Sequence, residues 1–245
     1  MESFKGKVIL ITGASKGLGA DMAKTFAAKG AKVILNYSSS QLDAENVLAE
    51  IDRQGGDAFL IKADVSKESQ VIALFDEGIA RYGKIDVLIN NAGVMQTKAL
   101  KDHSEEDFDF QFDINVKGTF FTLKQASEKL ADNGSIINVS STATRTLFPG
   151  YAVYTATKTA VDQLTRIFAK EVGRGISVNA IAPGPTKTEL FLNGKSDELL
   201  ERLAASNVFN RIADPADITK VVLFLASDEA KWISGQIIAA NGAMA

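Results

Sequence analysis

The chain has 245 residues, 27 of them basic and 30 acidic, for a net charge of −3. That length supports one α/β domain with a full core, and near-balanced charge without a basic run argues against a nucleic-acid partner. Cysteine is absent, which excludes disulfides and thiolate metal sites, and no metal is expected. The single histidine, His103, sits in the polar context KDHSEED and reads as an exposed residue, leaving Ser-His-Asp catalysis without its base.

No apolar run approaches bilayer-spanning length, so no membrane contact is expected. The opening MESFKGKVILITG carries Glu2 early and passes straight into an apolar strand, unlike a secretory signal. A cytoplasmic protein is expected.

Lys7 to Thr12 (KVILIT) reads as a buried parallel strand. It feeds GASKGLG, where Gly13, Gly17 and Gly19 precede a helix predicted over Ala20 to Ala28 and stopped at Gly30. A strand, a glycine turn and a helix N-terminus bring bare backbone up to an anionic group such as a pyrophosphate. Lys32 to Tyr37 (KVILNY) is the second strand. A site for NAD wants an acid at this strand's end to hold the ribose hydroxyls. Here Asn36, Tyr37, Ser38, Ser39 and Ser40 stand there, and the first acid is Asp43. No carboxylate would repel a 2′-phosphate, the serines can donate to it, and Lys16 can add charge, so NADP(H) is favoured over NAD(H). One of the serines is also expected to cap the helix that follows.

The pattern repeats. Ala58 to Ala63 is a third strand ending at Asp64 and Val65, and Ser66 is predicted to cap a helix reaching Tyr82. Ile85 to Ile89 is a fourth strand, ending in Asn90-Asn91-Ala92-Gly93. A long helix from Ser104 to about Leu130 is expected to be interrupted only at Gly118. Ser135 to Val139 delivers Ser140 and Ser141, which must point to opposite faces. A helix from Tyr151 follows, with Ala152, Ala156 and Ala160 at helical spacing and no glycine before Gly173. Then come strand Ile176 to Ile181, the turn Pro183-Gly184-Pro185, an irregular stretch, a helix over Pro215 to Ala226, and a last strand at Gln236 to Ala240. Strands alternating with helices predict a single α/β domain over 1–245, a doubly wound parallel sheet of about seven strands with helices on both faces. Ligands of such sheets bind beyond the strand C-termini, where the glycine turn, Asn90 to Gly93, Ser141 and Pro183-Gly184 should converge.

Tyr154 and Lys158 are four apart on the predicted helix and share a face, so the ammonium can lie beneath the phenol ring. A free phenol, with a pKa of about 10, is a poor catalyst near neutrality, and a fixed ammonium should lower that value. The pair reads as a proton donor with its tuning charge.

TGASKGLG at 12–19, Asp64-Val65, NNAG at 90–93, Asn115 in INVKG, Ser141, Tyr154-x-x-x-Lys158 and Pro183-Gly184 stand in the order and spacing of one family. The chain resembles the short-chain dehydrogenase/reductase family over essentially its whole length. The resemblance implies a Rossmann fold, catalytic roles for Asn115, Ser141, Tyr154 and Lys158, and a homotetramer. It implies cofactor binding by Gly13, Ser15, Lys16, Gly17, Leu18 and Gly19; by Tyr37, Ser38 and Ser39; by Asp64 and Val65; by Asn91, Ala92 and Gly93; by Tyr154 and Lys158; and by Pro183, Gly184, Thr186 and Thr188. Hydride would pass to a carbonyl carbon while Tyr154 protonates its oxygen, Ser141 stabilises the developing charge, and Asn115, breaking its helix locally next to Gly118, holds a water that connects Lys158 to solvent. The expected partner is a small aldehyde or ketone. Its pocket is expected to be walled by Val94, Met95, Thr142, Ala143, Leu147 and Phe148, with a lid at about 186–212 carrying Phe191, Leu192, Val208 and Phe209. The segment APGPTKTELFLNGKS is similar to aldehyde reductase-like and trihydroxynaphthalene reductase-like members, while 3-oxoacyl-thioester reductases and sugar dehydrogenases share the framework.

Overall fold

The computed structural model describes residues 3–245; Met1 and Glu2, on which the leader reading bears, lie outside the described residues. Seven strands form one sheet: β1 (Val8–Ile11), β2 (Lys32–Tyr37), β3 (Asp57–Lys62), β4 (Val87–Asn90), β5 (Ser135–Val139), β6 (Ser177–Pro183) and β7 (Ile237–Ala240). Their order is β3-β2-β1-β4-β5-β6-β7, with every pairing parallel. The chain runs from β1 out to β3, returns to β4 beside β1, and continues to the far edge. That reversal opens a crevice over the C-terminal ends of β1 and β4.

The connecting helices are α1 (Gly17–Ala28), α2 (Gln41–Arg53), α3 (Glu68–Tyr82), α4 (Glu105–Phe112), α5 (Gly118–Lys129), α6 (Ala143–Thr146), α7 (Ala152–Glu171), α8 (Glu189–Leu192), α9 (Asp197–Ala204) and α10 (Pro215–Ala226). Alternate residues of β1 serve opposite cores, as the two-residue period of a strand requires. Ile9 and Ile11 pack with Phe26 of α1, Ile51 of α2 and Ile218 of α10. Val8 and Leu10 pack with Phe75 of α3 and Leu123 of α5. The predicted doubly wound sheet is the sheet observed.

Some local expectations change. The first helix begins at Gly17 rather than Ala20, so the last two glycines of the turn form its first turn. Ser66 does not cap α3: Lys67 holds that position, and Asp64 Oδ1 takes the Ser66 N–H at 2.9 Å instead. Ser40 stands at the N-cap of α2 without a side-chain capping bond, which leaves the serine run without the capping duty expected of it. The stretch from Ser104 to Leu130 is two helices joined by a π-helical turn at Asp113–Lys117, and Gly118 is itself helical at φ −60 and ψ −47. Ser104 does cap, exchanging bonds with Asp107 in a capping box. Among the described residues no helix is long and apolar enough to cross a membrane, and no cluster of acidic and histidine side chains is arranged to hold a metal ion.

Candidate active site

A cleft of about 960 Å³ runs over the strand C-termini. Its floor begins at the glycine turn. Gly13 has φ +62, and a Cβ there would stand 2.9 Å from the Ala92 Cα; on Gly19 it would meet the Gly13 carbonyl at 2.3 Å. Only glycine allows β1, β4 and α1 to converge this closely. Asn91 locks the junction, its amide donating to the carbonyls of Thr12 and Gly13, each at 2.9 Å, while Thr12 Oγ1 takes the Asn91 N–H at 3.0 Å. Asn36 joins the turn to the neighbouring strands, accepting from Gly13 N–H and donating to the Ala63 carbonyl. The N-terminus of α1 carries no side-chain cap and no acid in its first turn, so its N–H groups remain available to an anion. A pyrophosphate fits this cradle.

Most of the residues expected at the cofactor line the cleft: Gly13, Ser15, Lys16, Gly17 and Leu18 on the glycine turn, Ser38 and Ser39 after β2, Asp64 and Val65 after β3, then Asn91 to Gly93, Pro183, Gly184, Thr186 and Thr188. Tyr37 does not; it is buried, and Ser40 faces the cleft instead. Gly19 supports the floor without lining it. Thr186 is buried and donates to the Gly184 carbonyl, and Thr188 caps α8.

At the other end stand the remaining functional side chains. Tyr154 and Lys158, only 7% and 5% exposed, face the cleft from α7. Lys158 Nζ lies 5.9 Å from the centroid of the Tyr154 ring and donates to the Val139 carbonyl at 2.8 Å. Burial pushes the Tyr154 phenol up to about 12, opposed by its hydrogen bond with Ser141 and reinforced by the Tyr151 phenol. Burial pushes Lys158 down to about 8, opposed by the Asp162 carboxylate. The expected acidified phenol is therefore not observed: the ammonium sits over the ring and bonds elsewhere, so desolvation wins. Ser141 turns to Tyr154, whereas buried Ser140 turns to Asp162, as alternation along a strand demands.

Asn115 sits in the π turn and is buried. Its Oδ1 accepts from Val94 N–H at 2.8 Å, and its Nδ2 donates to the Val94 carbonyl at 2.9 Å and Thr157 Oγ1 at 3.0 Å. The side chain thereby ties α4 and α5 to the loop after β4 and to α7. Val94, Met95, Thr142, Ala143, Phe148 and Phe191 line the cleft as expected. Leu147, at 79% exposure, Leu192, Val208 and Phe209 do not, the first because Leu147 adopts a left-handed conformation at φ +53 that ends α6.

A family profile described as enoyl-(acyl carrier protein) reductase matches residues 13–244. The chain superimposes with a TM-score of 0.93 on a short chain dehydrogenase of Burkholderia cenocepacia J2315 in complex with NADP, at 30% identity and 99% coverage of both chains. The chain belongs to the short-chain dehydrogenase/reductase family. It is 40% identical to the NADPH-dependent aldehyde reductase-like protein, chloroplastic, of Arabidopsis thaliana, over 97% of this chain and 93% of that protein. It is 41% identical to a versicolorin reductase of Emericella nidulans, over 97% and 95%.

Some groups around this short-chain dehydrogenase site carry no sequence signal beyond ordinary polarity. Thr12, Asn36 and Thr157 hold the functional loops, yet each reads in sequence as a strand-end or helix-interior polar residue. Asp162 is one turn beyond Lys158, its carboxyl held above its ordinary range by burial, and Oδ1 lacks a well-formed hydrogen bond, as does Ser140 Oγ. Its spacing from Lys158 on one helix face was the available clue.

Proposed function

We propose that this protein reduces a hydrophobic aldehyde or ketone to the alcohol with NADPH, using Tyr154 as the proton donor. One observation carries the reading: the buried Tyr154 phenol, with Lys158 over its ring and Ser141 lining the same cleft, stands at the end of a cleft whose other end fits a dinucleotide. NADPH, when bound, supplies the hydride for the carbonyl carbon. The carbonyl oxygen is received between Ser141 and Tyr154. Ser141 donates to it as negative charge develops, and Tyr154 releases its proton there, so C=O becomes CH–OH and the phenol becomes phenolate. Lys158, over the ring, stabilises that phenolate, and its proton replaces the one lost. Both N–H donors of Asn115 are committed, so a water linking Lys158 to solvent would donate to the free lone pair of Oδ1.

The apolar wall, including Val94, Met95, Phe148, Leu190 and Phe191, favours a hydrophobic carbonyl over a sugar. The segment 186–212 is the lid of this reading, and Leu190, Phe191 and Leu203 are its inner face. A homotetramer belongs to the same proposal, supported by exposed Phe108, Phe110 and Phe120 on α4 and α5 and by fully exposed Trp232 near the C-terminus; light scattering tests it. So does a cytoplasmic location, tested by cell fractionation. The decisive assay follows reduced-nicotinamide absorbance with NADPH and NADH against aldehydes, ketones and a 3-oxoacyl thioester. NADPH oxidation with an apolar carbonyl is expected; clear cofactor binding without turnover on any of them would replace the reductase by a cofactor sensor.

A further inference from the structure

Lys16 has two partners. Its Nζ lies 3.1 Å from Asp43 Oδ2 and 3.1 Å from Glu189 Oε2. Asp43 is in the first turn of α2, directly after the serine run, and Glu189 opens α8 on the lid side of the cleft. The two sides also touch directly, since a Cβ on Gly17 would stand 3.2 Å from Thr188 Cγ2. One lysine thus bridges the glycine turn, α2 and the lid, and the three side chains together carry a charge of −1.

A 2′-phosphate brought to Lys16 and Ser38 to Ser40 meets that net negative charge. It settles more favourably if one carboxylate gives up the lysine, because the like charges then move apart. Asp43 is fixed in a helix running from Gln41 to Arg53, whereas Glu189 sits on the single turn Glu189–Leu192 and its side chain is 71% exposed. Glu189 is the carboxylate able to move away. Without a 2′-phosphate nothing displaces it, and the bridge from the glycine turn to the lid persists.

We propose that Glu189 sets cofactor selectivity by competing with the 2′-phosphate of NADP(H) for Lys16, and that phosphate binding unlatches the lid at this residue. The inference rests on the NADP(H) reading above. It makes Glu189 a specificity-determining residue that works against the preferred cofactor, and it gives the two cofactors different lids.

Direct titration of wild type, Glu189→Gln, Lys16→Met and the double variant with NADPH and NADH, in low and high salt, tests it. Glu189→Gln is expected to bind NADPH about 3- to 10-fold more tightly at low salt with NADH unchanged, an advantage that shrinks in high salt and vanishes in the Lys16→Met background. Hydrogen exchange should show amides of 188–192 exchanging faster in the NADPH complex than in the NADH complex of the wild type. An equal change for both cofactors would reduce Glu189 to a helix-opening residue and overturn the competition. So would an unchanged NADPH affinity in a wild type that still prefers NADPH. A wild type that binds NADH as well as NADPH would instead sink the NADP(H) reading itself, whatever Glu189→Gln does.

Discussion

Lys158 stands over the face of Tyr154, 5.9 Å from the ring centroid, and spends a hydrogen bond on the Val139 carbonyl rather than on the phenol oxygen. The phenol therefore keeps its proton until a substrate oxygen takes it. A phenol pushed up to about 12 stays protonated at neutral pH, the form that reduction needs, but it is a weak acid, so it gives up its proton only with the Lys158 charge there to stabilise the phenolate. Tyr154→Phe should lower kcat by about 10²- to 10⁴-fold while the dissociation constant for NADPH changes by less than about threefold, because the ring and its packing remain. Single-turnover kinetics beside cofactor titration checks this, and retention of most activity would remove Tyr154 from the proton path.

The alkaline limb of reduction should belong to Lys158. Of the two groups, it titrates first, at about 8, and its loss of charge removes the stabiliser of the phenolate. The rate is expected to be level through neutrality and to fall as pH passes about 8. Asp162 raises the Lys158 value, so Asp162→Asn should move the limb to lower pH. Asp162 itself is faced by Ser140 and by Arg166, Arg145 and Lys158, so the charge removed is partly shared among them. Rate profiles of the two proteins between pH 6 and 10 decide it; a limb that stays in place assigns the titration elsewhere.

The same shift predicts stability. Lys158 has a folded value below its ordinary 10.5, so the unfolded chain holds more protons between about 8 and 10.5 and wild-type stability from this group rises with pH across that window. Below about 8 the buried charge is a constant cost. Lys158→Met removes it at the expense of leaving the Val139 carbonyl unpaired, for a net gain on the order of 1 kcal/mol, or about 2–4 °C in Tm, at pH 7. The advantage should shrink from pH 8 upward as the wild type sheds the charge. Melting curves at pH 7 and pH 9.5 test the sign, and a variant less stable at pH 7 would show that the hydrogen bond outweighs the burial.

Strand alternation, the glycine spacing and the ordered polar tips of β1, β4, β5 and β6 were readable in the chain because each is a local pattern that a parallel sheet then gathers at one edge. Alternation said that only one of Ser140 and Ser141 could face the site, and the thirteen-residue interval to Tyr154 chose Ser141. Other features were hidden because their causes are not local. A local helix break at Asn115 was expected, but its form, a π turn over Asp113–Lys117, and the partners Val94 and Thr157 that hold it there are set by distant segments. The acidity of Tyr154 depends on where the Lys158 ammonium ends its reach, and a four-residue spacing cannot state that. Lys16 looked free in sequence because the carboxylates that engage it, Asp43 on α2 and Glu189 on α8, lie well along the chain.

Asn115 offers the last test, because its side chain joins three segments of the site. Asn115→Ala deletes part-buried bonds to Val94 N–H and the Val94 carbonyl and a buried one to Thr157 Oγ1, and leaves those groups unsatisfied. Each abandoned buried group costs about 1–3 kcal/mol before relaxation, so a loss of about 2–4 kcal/mol in denaturant unfolding is expected together with a large fall in kcat. Thr157→Val removes only one of those contacts with the threonine hydroxyl, which also donates to the Tyr154 carbonyl at 2.7 Å, and should cost about 1–2 kcal/mol. The two variants separate support from catalysis. If Asn115 acts only by holding the loop after β4 against α7, activity should fall roughly in step with stability across both. If its remaining lone pair also carries the water to Lys158, Asn115→Ala should lose far more activity than its stability accounts for, and its alkaline limb should move while that of Thr157→Val does not.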